Sequence, residues 1–142
     1  MNTDNYFINN ISDYELIYPK LNIREKQRKI ILMKGELGSG KTTFIKEFLA
    51  HRFDFYETTS PTFTIINKYE IFNNNTYHYD LYRINKSHEL DDIGMYENLE
   101  IEALHFIEWP EIIPDNLINP DIIISFQIHK HQRLISLEHL NE

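Results

Sequence analysis

Gly35-Glu36-Leu37-Gly38-Ser39-Gly40-Lys41-Thr42 decides the fold of this 142-residue chain. Glycine, four residues, Gly-Lys and then Thr is the spacing of a phosphate-binding loop. Its flanks agree with that reading. The run Ile30-Ile31-Leu32-Met33 predicts a buried strand before the loop, and Thr43-Phe44-Ile45-Lys46-Glu47-Phe48-Leu49-Ala50 predicts a helix after it. Glycines let the backbone curl so that successive N–H groups converge on phosphate oxygens, and the helix N-terminus adds a favourable dipole. In this geometry the Lys41 ammonium reaches the terminal phosphates, and the Thr42 hydroxyl is a ligand for Mg²⁺.

Outward from the loop, Phe44, Ile45, Phe48 and Leu49 recur at helical spacing and should face a sheet. Upstream, Tyr6-Phe7-Ile8 predicts a strand. Ser12 with Glu15 fits a capping box that opens a helix, which Pro19 ends or kinks near Tyr18. Residues 24–29 read as a charged, solvated turn. Downstream, residues 53–59 form a connection. A hairpin follows, with one strand around Phe63, Ile65 and Tyr69, a turn at Asn73-Asn74-Asn75, and a second strand from Thr76 to Tyr79. Residues 87–90 and 97–103 read as short helices around Gly94. Leu104-His105-Phe106-Ile107 is a short buried strand ending at Glu108, and Pro110 and Pro114 interrupt the chain after it. Ile122, Ile124, Phe126 and Ile128 alternate, and residues 133–137 answer across a turn at Lys130-His131, which predicts a closing antiparallel hairpin.

A phosphate loop needs a partner acid, because Mg²⁺ on the phosphates keeps waters that a strand-end carboxylate orients. Asp80 ends the strand Tyr77-His78-Tyr79, and Glu108 ends the more strongly apolar one. Glu111 follows Pro110, which leaves its direction open. Asn67-Lys68-Tyr69-Glu70 superficially matches the guanine-reading Asn-Lys-x-Asp. It ends in Glu, follows the phosphate loop too soon and lies inside a strand, so it carries no guanine specificity.

Composition bounds the rest. Hydrophobic residues make up 42% and charged residues 25%, the balance of an ordinary soluble globule, with material for one domain spanning residues 1–142. No apolar run is long enough to span a membrane, and the absence of cysteine fits a reducing cytoplasm. Fourteen basic against 22 acidic residues give a net charge of −8. Such a chain is a poor stand-alone nucleic-acid binder unless its positive charge gathers on one face.

Five segments, in order and spacing, resemble the TsaE (YjeE) family of small ATPases in bacterial tRNA threonylcarbamoyladenosine biosynthesis. They are the loop at residues 35–43, Ser60-Pro61-Thr62-Phe63-Thr64, Asp80-Leu81-Tyr82-Arg83, Glu89-Leu90-Asp91-Asp92-Ile93-Gly94 and Ile107-Glu108-Trp109-Pro110-Glu111. The resemblance runs from about residue 12 to residue 133. It implies a three-layer α/β P-loop NTPase fold with a mixed central sheet and antiparallel hairpins. It also implies an ATPase that binds a complex of TsaD and TsaB. In that complex TsaD transfers the threonylcarbamoyl group onto adenosine 37 of tRNAs reading codons that begin with A, and the ATP cycle resets the assembly between rounds.

By the same resemblance, Gly38, Ser39, Gly40, Lys41, Thr42 and Thr43 bind ATP. Thr42 and Glu108 hold Mg²⁺, directly or through water. Asp80 is the acid linked to metal binding and hydrolysis, Thr62 lies in a switch-like stretch, and Trp109 packs beside the nucleotide. Contact with tRNA is implied only through the complex. Departures from the family pattern are Ser39 in place of the usual Ala, no glycine in His51-Arg52-Phe53-Asp54, and an irregular segment around Pro19 and Asn22. Two other functions fit the phosphate loop: a small-molecule kinase, and a nucleotide-gated binding protein with negligible turnover. The kinase reading lacks its arginine-bearing lid, since only Arg133 follows Arg83.

Overall fold

In the computed structural model, residues 2–59 and 64–141 are described. Seven strands form one sheet: β1 Asn2–Ile8, β2 Lys29–Gly35, β3 Ile66–Tyr69, β4 Thr76–Asp80, β5 Leu104–Glu108, β6 Ile122–His129 and β7 Gln132–His139. Their order is β1-β7-β6-β2-β5-β4-β3. The centre, β6-β2-β5-β4, is parallel, and both margins are antiparallel. The sheet is therefore mixed, with the two hairpins the sequence calls for. Ile30, Ile31, Leu32 and Met33 on β2 are all buried, as a parallel strand covered on both faces requires.

One face of the sheet packs against helix α1, Lys41–Phe53. Phe44, Ile45, Phe48 and Leu49 turn inward with Ile31, Met33, Phe106, Ile124 and Phe126, and edge-on ring contacts join Phe44 to Phe126 and Phe48 to Phe106. The opposite face packs against α2, Glu89–Asp92, and α3, Met95–Leu99. Leu90, Met95 and Leu99 meet Ile30, Leu32, Tyr77, Tyr79 and Ile107 there. Helices on both faces of the sheet give three layers.

The sequence departures have local causes. α1 ends at Asp54, which adopts the left-handed conformation at φ 54°. Its N–H bonds the Ala50 carbonyl, and the Phe55 N–H returns to Leu49. Asp tolerates this conformation better than most residues, so the missing glycine is not needed. The irregular segment around Pro19 and Asn22 is two 3-10 turns, Ile11–Leu16 and Tyr18–Leu21, the second closed by Asn22 at φ 53°.

Three local expectations change. The first helix opens on Asn10 rather than Ser12: the Asp13 carboxylate accepts the backbone N–H of Asn10 at 3.2 Å, and the Ser12 hydroxyl is spent on the Asn10 side chain. The helix expected at residues 97–103 instead starts directly after Gly94, whose φ of 77° sets the entry, and ends at Leu99. Lys29 does not belong to a solvated turn. It starts β2, buried, and its ammonium donates to the Leu21 and Asn22 carbonyls at 2.8 and 3.0 Å. Phe63 and Thr62 lie outside the described residues.

Candidate functional site

β2 delivers the chain to the glycine loop at the C-terminal edge of the parallel strands. Gly35 has φ 154° and Gly40 φ 110°. A Cβ on Gly35 would lie 2.6 Å from the Ser39 hydroxyl and 2.7 Å from the Phe126 carbonyl, and one on Gly40 would lie 2.7 Å from the Tyr14 hydroxyl. Backbone conformation and space both demand glycine at Gly35, and backbone conformation demands it at Gly40. β7 braces the loop from outside, where the Arg133 guanidinium donates to the Ser39 carbonyl at 3.2 Å. The first turn of α1 then presents backbone N–H groups that no helical carbonyl can satisfy.

The acids arrive on the neighbouring strands. Asp80 and Glu108 are register partners at the ends of β4 and β5. The Glu108 carboxylate, 3% exposed, accepts the Thr42 hydroxyl at 3.0 and 2.8 Å through its two oxygens. Its Oε2 also accepts His78 Nε2–H at 2.5 Å. Asp80 Oδ1 accepts the Tyr82 N–H at 3.1 Å. Burial, and then the charge of Glu108, push the Asp80 carboxyl above its ordinary range, and the Tyr82 bond opposes that rise. The Lys41 ammonium donates to the Gly35 carbonyl and sits 3.7 Å from the centroid of the Trp109 ring. Burial pulls its pKa down, while Glu108, Glu111 and Asp80 push it back up. Trp109 itself has φ 59°. A bulky residue in that region is strained, and such strain concentrates at functional sites. Tyr82 packs on its ring at 4.9 Å between centroids.

A single cleft is lined by Gly38, Ser39, Gly40, Lys41, Thr42, Thr43, Asp80, Glu108 and Trp109, together with Leu37 and Tyr82. All the sequence-predicted site residues except Thr62, which lies outside the described residues, therefore meet in one place. Sequence reading missed three features. His78 is one; it shares a strand face with Asp80, so strand alternation alone could have flagged it. Tyr82 is another. The third is a second cleft on the other side of the loop, lined by Asn9, Asn10, Tyr14, Gly38, Gly40, Thr43, His131 and Arg133. It is assembled from three distant segments, and no local pattern announces it.

The donor set suits a small hard cation. One hydroxyl and one carboxylate lie within hydrogen-bond distance of each other at the phosphate loop, with a second carboxylate on the adjacent strand. Mg²⁺ typically takes one or two carboxylates and completes its octahedron with phosphate oxygens and water. Among the described residues no group of three or more His, Cys, Asp or Glu could hold a metal. None of their helices is long and apolar enough to cross a membrane.

A mixed sheet between helices, with a glycine loop between its central strand and α1, defines an α/β protein of P-loop NTPase architecture. Comparison with known proteins narrows the class. A family model described as "Threonylcarbamoyl adenosine biosynthesis protein TsaE" matches residues 8–135, and the chain belongs to the TsaE family. It is 39% identical over 119 residues to the tRNA threonylcarbamoyladenosine biosynthesis protein TsaE of Rickettsia typhi, covering 82% of this chain and 81% of that one. The protein of the same name from Borreliella burgdorferi is 41% identical over 85 residues, 59% of this chain and 61% of that one. In fold, the chain is similar to the crystal structure of Bacillus subtilis YdiB, with a TM-score of 0.73 at 22% identity, covering 99% of this chain and 87% of that one.

Proposed function

We propose that this protein is the ATP-binding subunit that supports threonylcarbamoylation of adenosine 37 in tRNAs reading codons that begin with A, acting as one domain in the cytoplasm. The observation that carries the reading is the Glu108 carboxylate seated on the Thr42 hydroxyl behind a complete glycine loop. In this reading the backbone of residues 38–43 cradles the phosphates. The Lys41 ammonium leaves the Gly35 carbonyl and the Trp109 ring for the terminal phosphates. Thr42 and Glu108 hold Mg²⁺, directly or through water, and Asp80 orients its water shell. Bound there, Mg²⁺ would neutralise charge developing on the transferring phosphoryl group. The second cleft, beside Tyr14 and Arg133, receives the nucleoside end of ATP, because it opens from the same glycines.

Turnover by the isolated protein is low. Its useful activity arises with TsaD and TsaB, where Thr62 couples the γ-phosphate to the surface offered to those partners. Contact with tRNA comes through the complex, consistent with a net charge of −8. Measuring ATP hydrolysis and complex formation together, with and without TsaD and TsaB, tests the reading. Mg²⁺-dependent hydrolysis that rises on complex formation supports it. Phosphate transfer to a small-molecule acceptor in the absence of the partners contradicts it.

A further inference from the structure

His78 is a buried polar side chain in direct contact with the site, and the proposed chemistry leaves it without a role. It is 2% exposed, in the middle of β4. Strand alternation sends Tyr77 and Tyr79 to the α2–α3 face and His78 to the α1 face, toward Glu108. The imidazole Nε2–H donates to the same carboxylate oxygen that also takes the shorter of the two Thr42 bonds. His78 sits two residues before Asp80 on the strand beside β5, so one rigid strand supplies both an acid and the group that grips the other acid.

A buried carboxylate without hydrogen bonds is costly, and one free to rotate is a poor ligand. Thr42 alone cannot fix it, since the proposed metal site needs the Thr42 hydroxyl as a ligand in its own right. When that hydroxyl turns to an ion, His78 is the protein donor left on Glu108 among the hydrogen bonds formed by the described residues.

We propose that His78 is a positioning residue that holds Glu108 in its ion-binding orientation, whether or not Thr42 is engaged. This rests on the reading of Thr42 and Glu108 as the Mg²⁺ site. Partners of this kind typically contribute about 10- to 100-fold in metal affinity. The class of ligand affected is the divalent cation with its nucleotide, and not the nucleotide alone.

Calorimetric titration of ADP at graded Mg²⁺ concentrations, and in EDTA, tests this on wild type, His78→Ala, His78→Gln and Glu108→Gln, with thermal unfolding of each. The expected result is that His78→Ala needs about 10- to 100-fold more Mg²⁺ for the same gain in ADP affinity, with affinity in EDTA unchanged. His78→Gln, whose amide can still donate, should recover part of that loss. An unchanged Mg²⁺ requirement in folded His78→Ala, while Glu108→Gln raises it, overturns the positioning role and leaves the metal site standing. An equal loss with and without Mg²⁺, unrelieved by Gln, also overturns it, because it marks a purely structural histidine. If Glu108→Gln itself leaves the Mg²⁺ requirement unchanged, the metal-site reading fails and the role of His78 fails with it.

Discussion

Two histidines lie buried on adjacent strands, and the sheet separates them. His78, on β4, faces α1 and bonds the Glu108 carboxylate. His105, on β5, faces α2 and α3 and packs beside two tyrosines of β4, with ring centroids 5.2 Å from Tyr77 and 5.8 Å from Tyr79. Its Nδ1 accepts the Tyr79 hydroxyl at 2.8 Å and its Nε2–H donates to the Ile101 carbonyl at 2.9 Å. His105 is closed: both ring nitrogens are satisfied by groups that do nothing else, and burial holds its pKa below the ordinary value. His78 is open: its partner is an acid at the mouth of a cleft, shared with a hydroxyl at the start of a helix. Burial alone therefore does not separate a structural polar residue from a functional one. What separates them is whether the partner has a second task.

This contrast predicts that substituting the buried polar groups on the α1 face acts on turnover, and substituting those on the α2–α3 face acts on stability. The largest effect is expected from Lys41→Ala, which removes the charge proposed to meet the phosphates. ATP hydrolysis should fall by about 10²- to 10³-fold with little change in melting temperature, and unchanged calorimetric affinity and turnover would show that the site is misplaced. Glu108→Gln keeps the size of the side chain and removes its charge, so hydrolysis should fall by at least about tenfold, more than stability does. Steady-state kinetics beside thermal melts separate the two readouts.

On the opposite face, Tyr79→Phe deprives His105 Nδ1 of its donor. Denaturant unfolding should show a loss of about 1–3 kcal/mol, with hydrolysis per folded molecule unchanged. A turnover defect there would break the division between the faces.

The smallest effect is a pH dependence. The His105 pKa is lower in the folded protein than its ordinary value near 6.5, so the unfolded chain binds more protons in that range. Its contribution to stability is complete above about pH 6.5 and is lost as pH falls from there toward the folded value. His105→Gln should flatten the fall in melting temperature between roughly pH 7 and pH 5, and an identical slope in variant and wild type would remove His105 from that account.

The parts legible in the sequence were those written locally. The glycine loop, β2, α1 and the two strand-end acids follow from a motif and from periodicity over a few residues, and they fall where expected. The capping register at Asn10 was misread because Ser, Asp and Asn all compete for that position, and the choice depends on how the chain leaves β1. Lys29 was misread because its partners are the Leu21 and Asn22 carbonyls, exposed by a 3-10 turn that no pattern foretold. His78 is legible in hindsight. It alternates with the strand and precedes Asp80 by two, but its bond to Glu108 spans 30 residues of chain and exists only once β4 and β5 are adjacent.

The most direct test of the central claim is reconstituted tRNA modification over many rounds with TsaD and TsaB, comparing wild type, Lys41→Ala and no added protein. The account predicts sustained threonylcarbamoyl transfer with wild type, and transfer that stalls early in the other two. Equal multi-round transfer in all three would contradict it.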